Sequence, residues 1–356
     1  MSVLRRGLAT WARKGVSFIG LCAAAGAFAA PPLYRIAEAP TEGGIPVAKG
    51  INDRGVIVGT LYGDTGERRA FRWHEGRPVD FAPVDDPRHE QYAISIDELG
   101  AISYWVQWPG IIFPGKFLRT EVWRKGAAPA KKLRGVYSFF GNTAGDLIVR
   151  GDKRSYALRE RDGALTDIGR GDDDFLLNDL NNLQQAVGVR GAGRPVLWAR
   201  GKGVTEIPAL PDKRVSAAAI NDKGDVALMT SPFDLTFNGP ENGPNTIHLW
   251  SADKGVQSLG EHADCVWYRP RKVGPQGTMV GDCFAEPTPL SAQHAFAADA
   301  VNGIYMLESQ IDPADPNATR YEMRRALGIN ASGQIAVEAM GRNAEGPKLL
   351  LLTPVR

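Results

Sequence analysis

The sequence has 356 residues, 42 Lys and Arg against 40 Asp and Glu, and 43% apolar residues. Its first thirty residues hold four of the bases (Arg5, Arg6, Arg13 and Lys14) and no acid, so 42 less those four leaves 38 bases against 40 acids in the remainder. No block of Lys or Arg is left to track a phosphate backbone, and nucleic acid is not an expected partner.

Residues 1–30 read as a secretory signal peptide. The four bases precede the apolar stretch VSFIGLCAAAGAFA, and AFAAPP offers small residues for cleavage. The apolar stretch is too short to span a bilayer, so no membrane span is expected once the leader is removed. Export to the periplasm, the cell surface or the medium follows. Arg5-Arg6 loosely resembles a twin-arginine signal without the Ser or Thr ahead of it. Leu21 before Cys22 argues against a lipoprotein.

From residue 31 the chain is a repeat. The turns INDRG, IDELG, GNTAG, INDKG, VGPQG and INASG end at Gly55, Gly100, Gly145, Gly224, Gly277 and Gly333, and LNNLQ puts Gln184 at the same place. Seven turns bound units of about 46–84, 92–134, 136–169, 175–210, 215–260, 263–311 and 322–356. Spacings near forty to fifty residues suggest a propeller or an array. After each turn come short runs rich in β-branched residues (VIVGT, DLIVR, AVGVR, TMVGD), then an aromatic or Leu run, then a third. With the run entering the turn, each unit holds four strands and no sustained helical period.

The turn residues have a local logic. Asn or Asp at the first position hydrogen-bonds the backbone two residues on, and Gly at the last takes positive φ and forms the bulge of a hairpin. A calcium reading of Asp53 and Asp222 is weaker, because Ala331 and Pro275 stand at that position in other units. The last unit supplies three strands only. LYRIAEAP at 33–40 has the alternation of the missing fourth, so the expected fold is an all-β, seven-bladed β-propeller of four-stranded antiparallel blades, the last closed by the N-terminal strand. Residues 31–356 form one domain.

Second-to-third-strand and between-unit connections share one face of such a fold, and the long ones (107–118, 231–245, 284–293) carry aromatic residues. Trp108, Phe113, Phe233, Phe237, Trp267 and Tyr268 therefore gather by topology near one rim, as a binding surface for carbohydrate or an envelope protein. Cys265 and Cys283 are a disulfide candidate in an oxidising compartment, the alternative being two buried thiols. His248 and His294 occupy equivalent repeat positions and read as packing residues, while His89 and His262 lie between units. No metal-ligand spacing and no Gly-x-Ser-x-Gly elbow occurs, so neither metal nor cofactor is expected. The acid runs at 85–86 and 172–174 read as solvated loop charge.

The combination INDRGVIVG…RAFRW in the first unit and the triplet His294-Ala295-Phe296 resemble the bacterial extracellular HAF-repeat family, with RAF at 69–71 and HLW at 248–250 as degenerate copies. The resemblance extends weakly over 46–356 and is least in units two and three, which lose the triplet. It implies an exported β-propeller-like protein of unassigned activity. The expected function is a binding or scaffolding module. The alternative is a propeller-type polysaccharide hydrolase or lyase with acids and histidines at the channel mouth.

Overall fold

The computed structural model describes residues 30–41, 44–108, 117–126, 131–134, 137–150, 155–170, 175–191, 193–208, 210, 213–231, 244–286 and 292–355. Residues 1–29 of the expected leader and the acid run 172–174 lie outside that set. The chain is a seven-bladed β-propeller, each blade one antiparallel sheet of four strands. Blade one comprises β2 (Gly44–Ile51), β3 (Ile57–Gly63), β4 (Arg68–Trp73) and β5 (Asp80–Phe81). Blade two comprises β6 (Glu90–Ile96), β7 (Ala101–Gln107), β8 (Phe117–Arg124) and β9 (Lys131–Arg134). Blade three comprises β10 (Tyr137–Gly141), β11 (Leu147–Arg150), β12 (Ser155–Arg159) and β13 (Leu165–Arg170). Blade four comprises β14 (Phe175–Leu180), β15 (Gln185–Arg190), β16 (Arg194–Ala199) and β17 (Gly203–Glu206).

Blade five follows with β18 (Arg214–Ile220), β19 (Val226–Ser231), β20 (Ile247–Ser251) and β21 (Gly255–Ser258). Blade six holds β22 (Trp267–Val273), β23 (Met279–Phe284), β24 (Gln293–Asp299) and β25 (Gly303–Met306). Blade seven takes β26 (Tyr321–Ile329), β27 (Ile335–Gly341) and β28 (Gly346–Pro354) from the C-terminus and β1 (Tyr34–Glu38) from the N-terminus. The closing strand runs antiparallel to β28, from Tyr34 opposite Pro354 to Glu38 opposite Leu350. Its other edge is tied down as well: Ile36 N–H donates to Asp315 Oδ2 at 2.8 Å, and Asp312 N–H to the Tyr34 carbonyl at 2.9 Å.

The second strand of a blade has neighbours on both faces, which explains runs with no polar alternation. All six residues of Met279–Phe284 are buried. Apolar side chains from adjacent blades meet at every junction, so the core is a ring of clusters between blades and not a single centre. Among the described residues the junction of blades two and three is the thinnest, with Leu133, Leu147 and Val149 as its fully buried members.

The Asn of the repeated turn does two jobs. Asn52 Oδ1 accepts the N–H groups of Arg54 (3.2 Å) and Val56 (3.0 Å), which closes its own hairpin around Gly55 at φ 73°. Its amide nitrogen reaches the other way, donating to the Asp97 carbonyl in the next blade at 2.9 Å. The same bond joins Asn142 to the Asn181 carbonyl (3.0 Å), Asn181 to Asn221 (2.9 Å), Asn221 to Gly274 (2.9 Å) and Asn330 to Asn52 (3.0 Å). The following residue reaches back: Asp53 accepts from Ala331 N–H at 2.7 Å and Asp222 from Asn182 N–H at 2.8 Å. Those carboxylates serve the ring. Gln184 takes the left-handed conformation at φ 57° where the other turns have Gly, a strain of about 1 kcal/mol.

Candidate functional site

The first strands of the blades surround the central channel, and each departs from regular pairing at an equivalent position, β26 also at a second, between Met323 and Arg325. A single extra residue bulges out between Ala48 and Gly50, between Ala93 and Ser95, and at the equivalent places in β10, β14, β18, β22 and β26. The bulged residue stands three positions before the turn Asn. A bulge turns its side chain away from the ladder, and Lys49, Ile94, Asn178, Ala218, Arg271 and Leu327 line the channel in this way. Blade three differs: Phe139 packs on Tyr156 at 5.7 Å between ring centres, and Phe140 faces the channel.

The channel has two halves. Near the Asn turns it is narrow, about 130 Å³, walled by residues such as Gly50, Ser95, Gly141 and Ile329. Toward the face bearing the second-to-third-strand and blade-joining connections it widens to about 420 Å³. The wide half is cationic on the side of blades six, seven and one, which supply Arg269, Arg271, Lys272, Arg325 and Lys49. Arg271 Nε pairs with Asp282 Oδ1 at 2.6 Å and Arg269 approaches Asp282 Oδ2 at 3.8 Å; Asp282 itself is 0% exposed. Lys272 pairs with Asp179 from blade four, across the channel, and Arg325 pairs with Glu338. Lys49 projects into the lumen, open along the axis but walled by protein, and has no carboxylate partner among the described residues. Burial, with Arg271 and Lys272 nearby, lowers its pKa. Burial raises the Glu338 carboxyl to about 6 against the pull of Arg325 and the Ala48 N–H, which donates to Glu338 Oε1 at 2.9 Å.

The aromatic residues expected at the rim do not all stand there. Trp108 does: it follows β7, half-buried, its ring edge-on to His89 at 4.8 Å with the Arg88 guanidinium over it at 5.1 Å. Beneath it Asp85 is held by Lys132 at 2.8 Å and Arg119 at 2.6 Å, and the Lys132 hydrogen bond is the main reason its pKa falls to about 2. That acid run is exposed loop charge, as expected, and is ion-paired as well. Phe113, Phe233 and Phe237 lie outside the described residues. Trp267 and Tyr268 are corrected: they open strand β22 and are 3% and 1% exposed. Trp267 packs on Phe284 at 5.3 Å, and Arg269 lies over both rings, so this tryptophan positions a channel cation. The Tyr268 hydroxyl accepts from His262 N–H at 2.8 Å and donates to the Cys265 carbonyl at 3.1 Å.

Cys265 and Cys283 are joined, as expected, with Cα atoms 5.7 Å apart. The bridge fastens the connection entering blade six to β23. No described group of three or more His, Cys, Asp or Glu is arranged to hold a metal, and no described helix is long and apolar enough to cross a membrane. The channel residues Lys49, Arg271, Lys272 and Arg325 were not singled out by sequence. Their signal was there once the units are aligned on the turn Asn: Lys49 and Arg271 occupy a column that otherwise reads Ile, Phe, Asn, Ala and Leu.

No protein-family model matches the sequence, and no curated protein matches it. Among solved structures, virginiamycin B lyase from Staphylococcus aureus is similar with a TM-score of 0.51 and 11% identity, covering 90% of this chain and 99% of that one. A streptogramin B lyase gives 0.52 at 13% identity, covering 91% and 98%. At such identities the likeness is one of fold.

Proposed function

We propose that the chain is an exported binding or scaffolding module, a HAF-repeat propeller that recognises its ligand on the face where the wide half of the channel opens. The observation that carries this reading is the different use of the two faces. On one, turn side chains are engaged in holding blade to blade. The other has the wide channel mouth, the connections that vary in length, and Trp108 held on Arg88 and His89. Variable connections on a rigid scaffold around a concave opening are where ligands bind. The expected leader and the Cys265–Cys283 bridge support export to the periplasm or cell surface. Aromatic stacking suits a carbohydrate, and a polar rim suits an envelope protein.

One observation favours the alternative, a polysaccharide hydrolase or lyase: Glu338 beside the channel has a carboxyl poised near 6. Its Oε1 nevertheless accepts from Ala48 N–H and its Oε2 is ion-paired with Arg325, and a carboxyl held beside a guanidinium is ill placed to give a proton to a substrate. The test is a pull-down from envelope extract beside a glycan panel, with wild type and Trp108→Ala, while polysaccharide turnover is followed in parallel. Capture by wild type that the variant loses supports the reading. Capture unchanged in the variant overturns the assignment to this face, and turnover abolished by Glu338→Gln overturns the binding reading in favour of the enzyme.

A further inference from the structure

The wide half of the channel holds more positive than negative charge. Among the described residues five cations face three carboxylates, and Asp282 serves both Arg269 and Arg271. The remaining acids, Asp179 and Glu338, are taken by Lys272 and Arg325. Lys49 is left over. It sits at a bulge that directs it inward, on the blade next to those that carry the other cations. The protein outside the leader is slightly acidic, so this field is local to the lumen and not a property of the whole surface.

Crowding by the channel wall, then the like charges of Arg271 and Lys272, lower the Lys49 pKa, although its side chain stays exposed to the lumen. Oxygens of a bound anion would offset that repulsion by charge-assisted hydrogen bonds. The volume, about 420 Å³, is within the range of small-molecule sites.

We infer that the wide half of the channel binds a small oxyanionic ligand, carrying carboxylate, sulfate or phosphate oxygens, with Lys49 and Arg271 taking those oxygens and Arg269 and Arg325 nearer the mouth. The inference rests on the binding-module reading and gives it a ligand class. Lys49 is a binding residue here and Trp267 a positioning one, through its contact with Arg269.

The experiment is calorimetric titration of the disulfide-bonded protein, residues 31–356, with inorganic phosphate, sulfate and glucuronate in separate arms, and glucose as the neutral control. Expected is saturable one-to-one binding in at least one anion arm, none with glucose, at least tenfold weaker binding in Lys49→Met and retention in Lys49→Arg. Strength in the glucuronate arm over the inorganic arms identifies an acidic sugar as the source of the oxyanion; the reverse identifies a free inorganic anion. Lys49→Met removes a charge that faces two like charges and is expected to melt no lower than wild type, so lost binding reads the site and not the fold. Absence of saturable anion binding in every arm, or binding undiminished in Lys49→Met, overturns the inference. If glycan or protein capture at the rim persists in that case, the module reading stands and only the channel site falls.

Discussion

The side-chain amide of Asn330 donates to the backbone carbonyl of Asn52 at 3.0 Å, joining the last blade to the first across 278 residues of chain. Asn is required because one side chain must accept from its own turn and donate to the neighbour. Asp keeps the first function and loses the second. Asn330→Asp is therefore expected to preserve the hairpin while leaving a carboxylate against a buried carbonyl, at a cost of about 2 kcal/mol. Urea unfolding of the pair measures this; a midpoint unchanged from wild type would show that the link carries no stability.

Blade two already has the weaker residue. Asp97 accepts from Ala101 N–H at 2.7 Å but has no proton for Asn142, and the junction it faces is the one with the smallest apolar cluster. The Glu98 N–H to Thr143 carbonyl bond, 2.8 Å, takes over part of the task. Asp97→Asn should gain about 1 kcal/mol by supplying the missing donor, since the ion pairs it gives up, to Arg124 and Arg161, are long at 3.7 and 3.8 Å. Denaturant midpoints test the gain, and a loss of stability would refute it.

Removal of residues 31–40 deletes β1, exposes the edge of β28 and empties the place of Tyr34 in the cluster between blades six and seven. Cooperative unfolding should disappear. A truncated protein with the melting transition of the full chain would contradict this.

Glu338 gives a pH signature. Burial puts its folded-state pKa near 6, above the ordinary 4.5, so the folded protein holds this proton more tightly than the unfolded chain. The resulting stability is fully present below pH 4.5 and is lost as pH rises through 6, a change of about 2 kcal/mol. Glu338→Gln fixes the neutral form. Its stability relative to wild type should rise by that amount between pH 4.5 and 7, measured by denaturant titration across the range. A flat difference would place the carboxyl at its ordinary value.

The fold could be read from sequence because its determinants are local and repeated. Gly at the turn, β-branched runs after it, and the short last unit are each visible within a few residues, and closure by the N-terminal strand follows from counting. The Asn links could not be read, since the acceptor is a backbone carbonyl some forty residues onward and carbonyls leave no trace in composition. Trp267 and Tyr268 were placed in the connection between two units, in a stretch that ends at Pro270. In β22 that proline lies beside the bulge of a channel-lining edge strand, where its missing N–H has no ladder partner to lose. The cationic lumen was hidden for a related reason: strict alternation assigns side chains to faces, and an extra residue in a strand reverses that assignment beyond it.

The pairing of β1 with β28 also orders events in time. The first strand synthesised has no partner until the last has been made, so every intermediate length of chain carries an open edge at each end. Six complete blades can stack as they emerge, but the circle waits for its final nine residues, Gly346–Pro354. Contacts of such sequence separation close slowly, and until they do the nascent protein is a curved ribbon whose ends are free to pair with another copy of itself.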